Sequence, residues 1–357
     1  MLSFVYTALP MRVIFGSGTL VHMNRELAAL KCHRALVLCT PGQQHQAQAI
    51  ADQLGASCAG IFASAEMRTP VEVTHRALEK VTSVDADAVV SVGGGSTIGL
   101  SKAIALRTGL PQIVVPTTYA GSEVTPILGE TVGGRKSTIR DHKVLPKVVL
   151  YDVDLTLTLP ISLSLTSGIN AIAHAAEALY AIDANPVVSA IAEAGIASLS
   201  RALPRIREMP TDRDARTDAL LGAWTCGICL GSVAMALHHK LCHTLGGAFN
   251  LPHSQTHTAL LPYTLAYNAV AAPDASRRIA LALGVEDASR GVFDLLGRLG
   301  GLRALKDIGM PRGGIQLASE LAVSSPYPNP AFVTREGVRC LLERAWDGQP
   351  PEENKTR

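Results

Sequence analysis

The stretch Ala88-Val89-Val90-Ser91-Val92-Gly93-Gly94-Gly95-Ser96-Thr97 decides the fold class of this chain. A run of small apolar residues leads into three glycines. The residues after the glycines are typical of the start of a helix, which we expect to extend through Lys102. An apolar run without alternation predicts a strand covered on both faces of its sheet, as in parallel sheets. The stretch therefore predicts one strand–turn–helix unit of a doubly covered parallel sheet.

Three other early segments also consist of an apolar run that ends at a turn. They are Ala35–Cys39 before Thr40-Pro41-Gly42, Ile113–Val115 before Pro116-Thr117-Thr118, and Val148–Tyr151 before Asp152. Beyond Leu159-Pro160 the chain is rich in Ala and Leu at helical spacing, and we find no convincing strand. The clearest predicted helices are Thr166–Ile182, Val187–Leu203, Thr211–Leu237 and Pro273–Leu283. We expect an α/β domain over residues 1–158 and an all-α domain over residues 159–357.

Composition and charge exclude several classes of function. Lys+Arg number 32 and Asp+Glu 30 among 357 residues, a balance that argues against coating nucleic acid or an anionic membrane. The seven cysteines are scattered and odd in number, which favours a reducing compartment, the cytoplasm. The first ten residues lack the basic leader and apolar core of a signal peptide. The uncharged segment Leu220–Leu237 is predicted to be a buried helix and not a membrane span.

The glycine turn has the features of a phosphate-binding loop. Glycines let backbone N–H groups approach an anion closely, and a helix N-terminus adds its positive dipole end. The spacing of Gly93, Gly95 and Gly99 matches neither the usual dinucleotide fingerprint nor a P-loop, so a plain strand–helix turn stays open. A second loop, with Thr117, Thr118 and Ser122, follows another predicted strand and strengthens the prediction of a nucleotide cleft.

Five of the eleven histidines fall between His238 and His257. His239 and His243 are four residues apart and share a helix face, as do Asn170 and His174, while His253 lies beyond a Gly- and Pro-containing break. The spacing suggests metal ligation, although the glutamate of a zinc-protease helix is absent. Single buried histidines are usually core residues, but two spaced pairs and a loop histidine favour a functional site.

These motifs resemble, in order and spacing, those of the iron-containing alcohol dehydrogenase family, which is related to glycerol dehydrogenase and dehydroquinate synthase. The resemblance covers essentially the whole chain through Gly93–Ser96, Pro116–Thr118, Gly121–Glu123, Asn170–His174, His239–Gly247 and Leu251–His253. It implies a nucleotide-binding parallel-sheet domain, a helical catalytic domain, and an active site in the cleft between them. The cofactor-binding residues that it implies are Thr40, Gly94, Gly95, Ser96, Thr97, Thr117, Thr118, Ser122 and Leu159.

The sequence departs from the metal-dependent members at two positions, and its adenosine end also differs. Asn170 stands where they place an aspartate ligand, whereas His174, His239 and His253 keep the other three ligand positions. A neutral amide weakens a divalent cation site, so no metal is expected, although a three-histidine zinc site stays open. Gly99 replaces a usual aspartate. Thr40 replaces an aspartate that selects NAD, so NADH and NADPH are both expected as cofactors.

The resemblance is strongest to a branch of the family that reduces the conjugated C=C bond of maleylacetate, giving 3-oxoadipate in aromatic degradation. His243 and His253 are the candidates for proton donation and oxyanion binding, and His174, His239, Lys240 and Asn170 are expected to orient the diacid. The resemblance also implies a homodimer with a small dicarboxylate substrate. Two alternatives stay open, namely a metal-dependent alcohol dehydrogenase acting on an aldehyde or ketone and a non-catalytic nucleotide-binding protein.

Overall fold

The structure, a computed structural model, describes residues 3–352, and within that range the chain forms two units. One unit is Ala8–Leu159, and the other comprises residues 3–7 together with residues 160–352. The first unit therefore ends one residue beyond the boundary expected after residue 158. Residues 3–7 group with the second unit, whereas the sequence analysis assigned them to the first domain.

A six-stranded parallel sheet forms the centre of the first unit. Its strands are β1 (Arg12–Gly16), β2 (Ala35–Leu38), β3 (Cys58–Phe62), β4 (Ala88–Gly93), β5 (Gln112–Pro116) and β8 (Val148–Asp152). They follow the order β1-β8-β5-β4-β2-β3, and every neighbouring pair is parallel. A separate antiparallel hairpin consists of β6 (Ile127–Val132) and β7 (Arg135–Arg140). The predicted parallel-sheet fold is confirmed.

Alternate residues of each central strand enter two different hydrophobic clusters. Val37 and Val90 pack in one cluster, and Leu36 and Val89 pack in the other, so the sheet is covered on both faces. The helices of this unit are α1 (Met23–Ala29), α2 (Gln44–Leu54), α3 (Val71–Ser83) and α4 (Gly95–Thr108). The edge strands β1 and β3 were not predicted, and both are only partly buried.

The strand order reverses between β2 and β4. The chain passes from β2 outward to β3, returns to β4 on the other side of β2, and then continues through β5 to β8. The loops after β2 and β4 thus leave the sheet in opposite directions and open a crevice, which is where sheets of this kind bind ligands. Thr40 follows β2, and the glycine turn follows β4.

The second unit is helical throughout its described residues. Its helices are α5 (Ile161–Leu179), α6 (Pro186–Glu208), α7 (Arg213–Ser232), α8 (Leu237–Phe249), α9 (His253–Ala269), α10 (Pro273–Leu283), α11 (Ala288–Arg298), α12 (Gly314–Ala322) and α13 (Arg335–Asp347). Helix α6 is long and apolar enough to cross a membrane by length and composition, but half of the relevant window is buried inside the protein, as in many core helices. It packs closely on α7, because a Cβ atom on Gly195 would lie 2.6 Å from Cys226 Sγ.

The single helix predicted over Thr211–Leu237 is wrong at its C-terminal end. Helix α7 stops at Ser232, and α8 begins at Leu237 with an axis bent by 94° from that of α7. The uncharged segment Leu220–Leu237 is therefore a broken helix and is not buried on all sides, because Leu221 is exposed. An extended backbone at Val233 ends α7, and apolar spacing alone carries no signal for that conformation.

Candidate active site

Three side chains in the reversal crevice form a hydrogen-bonded set. The Thr40 hydroxyl donates to Gln43 Oε1 over 3.0 Å, and Gln43 Nε2 donates to Thr117 Oγ1 over 2.9 Å. This set joins the loop after β2 to the loop after β5 across the intervening strand β4. Gln43 was missed by the sequence analysis, although it lies directly after the Thr40-Pro41-Gly42 turn.

The glycine turn lies against the same side chains. A Cβ atom on Gly93, where φ is +147°, would lie 2.6 Å from Thr97 Oγ1 and 2.7 Å from Gln43 Oε1. A Cβ on Gly94 would lie 2.8 Å from Thr118 Oγ1, whereas a Cβ on Gly95 would meet nothing within 4 Å. Larger residues at the first two positions would therefore displace the hydroxyl groups that line the crevice.

The start of α4 can bind an anion. Gly94 is the N-cap residue and offers no side-chain oxygen to the first turn, in which Gly95, Ser96 and Thr97 lie. The Thr97 hydroxyl is buried without a hydrogen-bond partner. Open N–H groups at a helix N-terminus are suited to a pyrophosphate, so these residues fit a dinucleotide. Leu159 follows β8, and its N–H donates to the carbonyl oxygen of Thr156.

A buried lysine holds the second predicted loop. Lys102 Nζ donates to the carbonyl oxygens of Ser122, Thr125 and Ile127 over 2.6–2.8 Å and lies 2.9 Å from Thr125 Oγ1. Burial lowers the pKa of Lys102 to about 7, and the charge of Glu123 acts in the opposite direction. Ser122 is thus fixed through its backbone. The sequence predicts Lys102 only as a residue of the helix after the glycine turn.

The unusual Gly99 also has a structural reason. A Cβ atom at this position would collide with Thr69 Oγ1, so the hydroxyl of Thr69 fills the space that a side chain on α4 would take. Thr69 has a positive φ of 48° and is 3 % exposed. Its N-terminal neighbour Arg68 accepts a hydrogen bond from Thr131 of the hairpin through its carbonyl oxygen.

In the helical unit the predicted histidines come together. The ring centroids of His174 and His239 are 5.1 Å apart, those of His239 and His243 are 6.3 Å apart, and those of His243 and His253 are 6.3 Å apart. These four rings lie on α5, α8 and the first turn of α9. His174 and His239 are buried, whereas His243 and His253 are exposed.

Two more histidines, both missed by the sequence analysis, belong to this group. The ring of His257 lies 4.4 Å from that of His253, 5.0 Å from that of His239 and 6.2 Å from that of His174. The ring of His238 lies 4.9 Å from that of His257. The signal that could have found His257 is its spacing of four residues from His253. We refer to the six rings together as the histidine cluster.

A buried carboxylate supports the cluster from behind. Glu177 Oε2 accepts from His239 Nδ1 over 2.6 Å and from the N–H of Ala236 over 2.9 Å, and Oε1 accepts from the N–H of His238 over 2.7 Å. Burial raises the pKa of Glu177, but the charge and hydrogen bond of His239 outweigh burial, so the pKa is lowered. Glu177 is therefore an anion that orients His239 and holds the first turn of α8. It too was missed.

Three buried rings of the cluster, those of His174, His238 and His257, are held in the neutral form by their surroundings. Burial lowers the pKa of His238 to about 3, and it lowers the pKa values of His174 and His257 well below the ordinary value, with neighbouring histidines acting in the same direction. Lys240, which follows His239 in the chain, carries a positive charge. Its Nζ donates to Ser325 Oγ over 2.9 Å and lies 5.6 Å from the centre of the Tyr327 ring.

Four buried polar atoms of the cluster region have no hydrogen-bond partner. They are Asn170 Oδ1, His174 Nδ1, His239 Nε2 and His257 Nε2. Because buried polar atoms are normally bonded, a group of such atoms indicates a ligand site. Asn170 and His174 lie one turn apart on α5, as the spacing predicted.

The residues at the family's metal-ligand positions fit a divalent cation less well than a set that contains an aspartate. Asn170 is neutral, and both oxygens of the nearby Glu177 already accept N–H hydrogens. Within residues 3–352, the histidine, cysteine and carboxylate ligand atoms that lie within 4.8 Å of one another belong to His238, Cys242 and His257. That set is different from His174, His239 and His253. A neutral amide in place of a carboxylate ligand weakens a divalent cation site relative to one that contains an aspartate.

Two family models match most of the chain. Residues 10–153 match the family model "Iron-containing alcohol dehydrogenase", and residues 164–346 match "Fe-containing alcohol dehydrogenase family, C-terminal". Maleylacetate reductase from Burkholderia cepacia is 53% identical over 98% of this chain and 99% of its own.

Solved structures of maleylacetate reductases are also similar to this chain over nearly its full length. The crystal structure of maleylacetate reductase from Agrobacterium tumefaciens has a TM-score of 0.95 and 51% identity, covering 98% of this chain and 100% of that one. The enzyme of the same name from Rhizobium sp. strain MTP-10005 has a TM-score of 0.95 and 52% identity, with the same coverage. This chain belongs to the iron-containing alcohol dehydrogenase family.

Proposed function

We propose that this chain is an NAD(P)H-dependent oxidoreductase that reduces the conjugated C=C bond of maleylacetate to 3-oxoadipate, without a metal ion. The observation that carries the proposal is 53% identity to a maleylacetate reductase over nearly the full length of both chains. The structure supports it with a cluster of six imidazoles, four of them buried, beside which the amide of Asn170 stands at the expected position of a ligating carboxylate. The resulting step belongs to the degradation of aromatic compounds.

The cofactor, when bound, supplies a hydride to the carbon β to the substrate ketone. The π electrons of the C=C bond then move to the carbonyl oxygen, so negative charge develops there and an enolate forms. In this step we propose that His239 acts as an imidazolium beside the Glu177 carboxylate, with Nδ1–H donating to Glu177 and Nε2–H, which has no protein partner, donating to this oxygen. A donor already in position stabilises such charge without reorganisation. His239 thereby takes the place of a Lewis acid.

The reaction is completed by a proton at the carbon α to the ketone. His243 and His253 are the proton-donor candidates, because their rings are exposed at the edge of the cluster and can be reprotonated from solvent. Lys240 and the polar atoms of Asn170 and His174 are proposed to orient the two carboxylates. One hydride and one proton are added, which balances the conversion of maleylacetate to 3-oxoadipate.

The proposal includes use of both NADH and NADPH. The open start of α4 is suited to the pyrophosphate of the cofactor. The loops after β2 and β5 supply the polar residues of the crevice, namely Thr40, Thr117, Thr118 and Ser122. Thr40 carries no charge, so a 2′-phosphate meets no carboxylate at that position. The seven cysteines are free thiols, which supports a cytoplasmic enzyme. The partners proposed are a dicarboxylate substrate and a second copy of the chain, with no nucleic acid or membrane.

The deciding experiment is NADH and NADPH oxidation with maleylacetate, before and after dialysis against a chelator, together with metal analysis by mass spectrometry. We expect turnover with both cofactors, no stoichiometric iron or zinc, and activity within twofold after chelation. One equivalent of tightly held metal, with activity lost on its removal, would support the metal-dependent alcohol dehydrogenase alternative. NADH binding without any turnover would support a nucleotide-binding protein.

Asn170→Asp provides the matched variant for metal binding. An aspartate restores an anionic oxygen next to His174, so we expect the affinity for Zn²⁺, measured by calorimetry, to rise at least 10-fold. Asn170→Ser, which adds no charge, serves as the control and should leave zinc affinity near that of the original chain. Equal affinities for all three proteins would show that residue 170 does not determine metal binding.

A further inference from the structure

A chain of hydrogen bonds behind the histidine cluster ends at a ring nitrogen without a partner. His238 Nδ1 lies 2.9 Å from Thr264 Oγ1, and His238 Nε2 lies 3.0 Å from His257 Nδ1. His257 Nε2 is buried and has no hydrogen-bond partner. The three side chains are fully buried. The direction of the hydrogens along this chain decides whether the last nitrogen presents a hydrogen or a lone pair.

Thr264 determines that direction. Its hydroxyl has one hydrogen, which the carbonyl oxygen of Leu261 accepts over 3.1 Å. His238 Nδ1–H then donates to Thr264 Oγ1, and His238 Nε2 accepts from His257 Nδ1–H, which leaves a lone pair on His257 Nε2. The opposite direction would leave an unbonded N–H on a fully buried ring, which is the costlier arrangement. The lowered pKa values of His238 and His257 are consistent with one hydrogen on each ring.

Among the other rings of the histidine cluster whose centroids lie within 6.2 Å of that of His257, the His253 ring is the nearest. It lies one turn earlier on α9, with its centroid 4.4 Å from that of His257 and the planes inclined at 67°. We propose that His257 is a positioning residue, whose Nε2 lone pair accepts a ring N–H of His253 during turnover. The other ring nitrogen of His253 is thereby directed toward the substrate carbon that takes the proton. This inference rests on the proposed function, in which His253 is a proton-donor candidate.

A metal ion at His238, Cys242 and His257 is the competing interpretation. Cys242 Sγ lies 3.7 Å from His238 Nε2, and the three ligand atoms are within 4.8 Å of one another. Metal binding would remove the hydrogen between His238 Nε2 and His257 Nδ1, although both nitrogens are already satisfied by that hydrogen bond. The hydrogen-bonded arrangement accounts for the contacts without an added ion. The experiment below distinguishes the two.

The kinetic test compares two pairs of variants. His257→Leu should lower kcat about 30-fold with KM for maleylacetate within twofold, and the solvent isotope effect on kcat should rise because proton transfer becomes slower. His257→Gln keeps an acceptor and a donor, and should recover kcat to within about fivefold of the original chain. Thr264→Val should lower kcat about 5- to 10-fold. Thr258→Val, which removes another buried hydroxyl of α9, should stay within twofold.

The tautomer is measured separately, by two-bond ¹H–¹⁵N spectra of protein labelled with ¹⁵N-histidine and without substrate. The His257 signals, assigned by their loss in His257→Gln, should show Nδ1 protonated and Nε2 unprotonated, and Thr264→Val should produce a mixture of tautomers. A protonated Nε2, a bound metal at this group, or an unchanged kcat per folded molecule in His257→Leu would overturn the proposal. Failure of the original chain to reduce maleylacetate would instead refute the proposed function, and the spectra would still decide the tautomer.

Discussion

A ligating aspartate would supply both an oxygen atom and a negative charge to the site, whereas in this chain Asn170 supplies the oxygen and Glu177 supplies the charge. Both residues lie on the face of α5 that carries His174, at steps of four and three residues. Asn170 presents a neutral oxygen without a partner, whereas Glu177 places its negative charge behind the ring of His239. A negative charge is thus kept near the site, but it contacts the imidazole of His239 and not a metal cation.

His243 and His253 provide the prediction at this scale. His243→Ala and His253→Ala should each lower kcat/KM for maleylacetate about 100-fold, which is the usual scale for a general acid or an oxyanion donor. Their melting temperatures should fall by only a few degrees, because exposed rings leave no dry cavity when removed. NADH binding, followed by fluorescence, should stay near that of the original chain.

His33→Ala is the control, since it removes another exposed histidine from the first unit. It should leave both kcat/KM and melting temperature unchanged. If the cluster only packs the protein core, the opposite pattern is expected, namely a large loss of stability and unchanged turnover per folded molecule. Measuring all three quantities on the same preparations distinguishes these outcomes.

The sequence predicted which residues belong to the site better than it predicted the hydrogen bonds between them. Pairs four residues apart, such as Asn170 with His174, must share a helix face, so their proximity follows from helix geometry alone. The bond from Glu177 to His239 joins two helices distant in the chain, and no local spacing indicates which of the Asp and Glu residues accepts it. Gln43 was missed for the same reason, because its partner Thr117 follows a different strand.

At the scale of elements, the loop after β5 depends on a single side chain of α4. Lys102→Met would remove the ammonium donor that the carbonyl oxygens of Ser122, Thr125 and Ile127 share. We expect the free energy of unfolding to fall by about 3 kcal/mol, the scale for breaking a buried charged hydrogen-bond group. The dissociation constant for NADH should rise about 10-fold, because the loop that carries Thr118 and Ser122 loses its support.

The control for this variant is Lys147→Met, which removes an exposed lysine of the same unit and should change neither quantity. Denaturant unfolding and NADH fluorescence measure the two effects. A stable Lys102→Met protein with ordinary NADH affinity would show that the loop is held by other contacts.

The elements themselves follow from the sequence to different degrees. The four predicted strands are the fully buried ones, whose apolar runs have to cover both faces of the sheet. The edge strand β3 has one side open and contains Cys, Ala and Gly, so it carries only a weak pattern. The break at Val233 was missed because it depends on Glu177, which bonds to Ala236 and His238 from another helix.

For the whole molecule, the neutral buried histidines predict a loss of stability in mild acid. His174, His238 and His257 have folded pKa values below the ordinary value of about 6.5, so the unfolded chain binds up to three more protons than the folded chain as pH falls below 6.5. The free energy of unfolding should therefore decrease with falling pH, by up to about 4 kcal/mol per pH unit once all three titrate in the unfolded state. Glu177, with its lowered pKa, adds a loss at still lower pH.

Denaturant unfolding at pH values from 7.5 to 5 tests this prediction. His257→Gln should reduce the slope by about one proton, because the glutamine side chain does not titrate, while His33→Ala should leave it unchanged. A free energy of unfolding that stays constant across this range would mean that the buried rings take up protons in the folded protein.

The bonds of Glu177 to the first turn of α8 have a consequence for how this protein can evolve. The same carboxylate fixes the backbone where α8 begins and orients His239, and neither contact requires a metal ion. A lineage that exchanges aspartate for asparagine at residue 170 therefore keeps these contacts, so the exchange alters the chemistry of the site without removing a bond that holds α8 or His239. A substitution of Glu177 is different, because it would remove both the hydrogen bonds that hold the start of α8 and the hydrogen bond that orients His239.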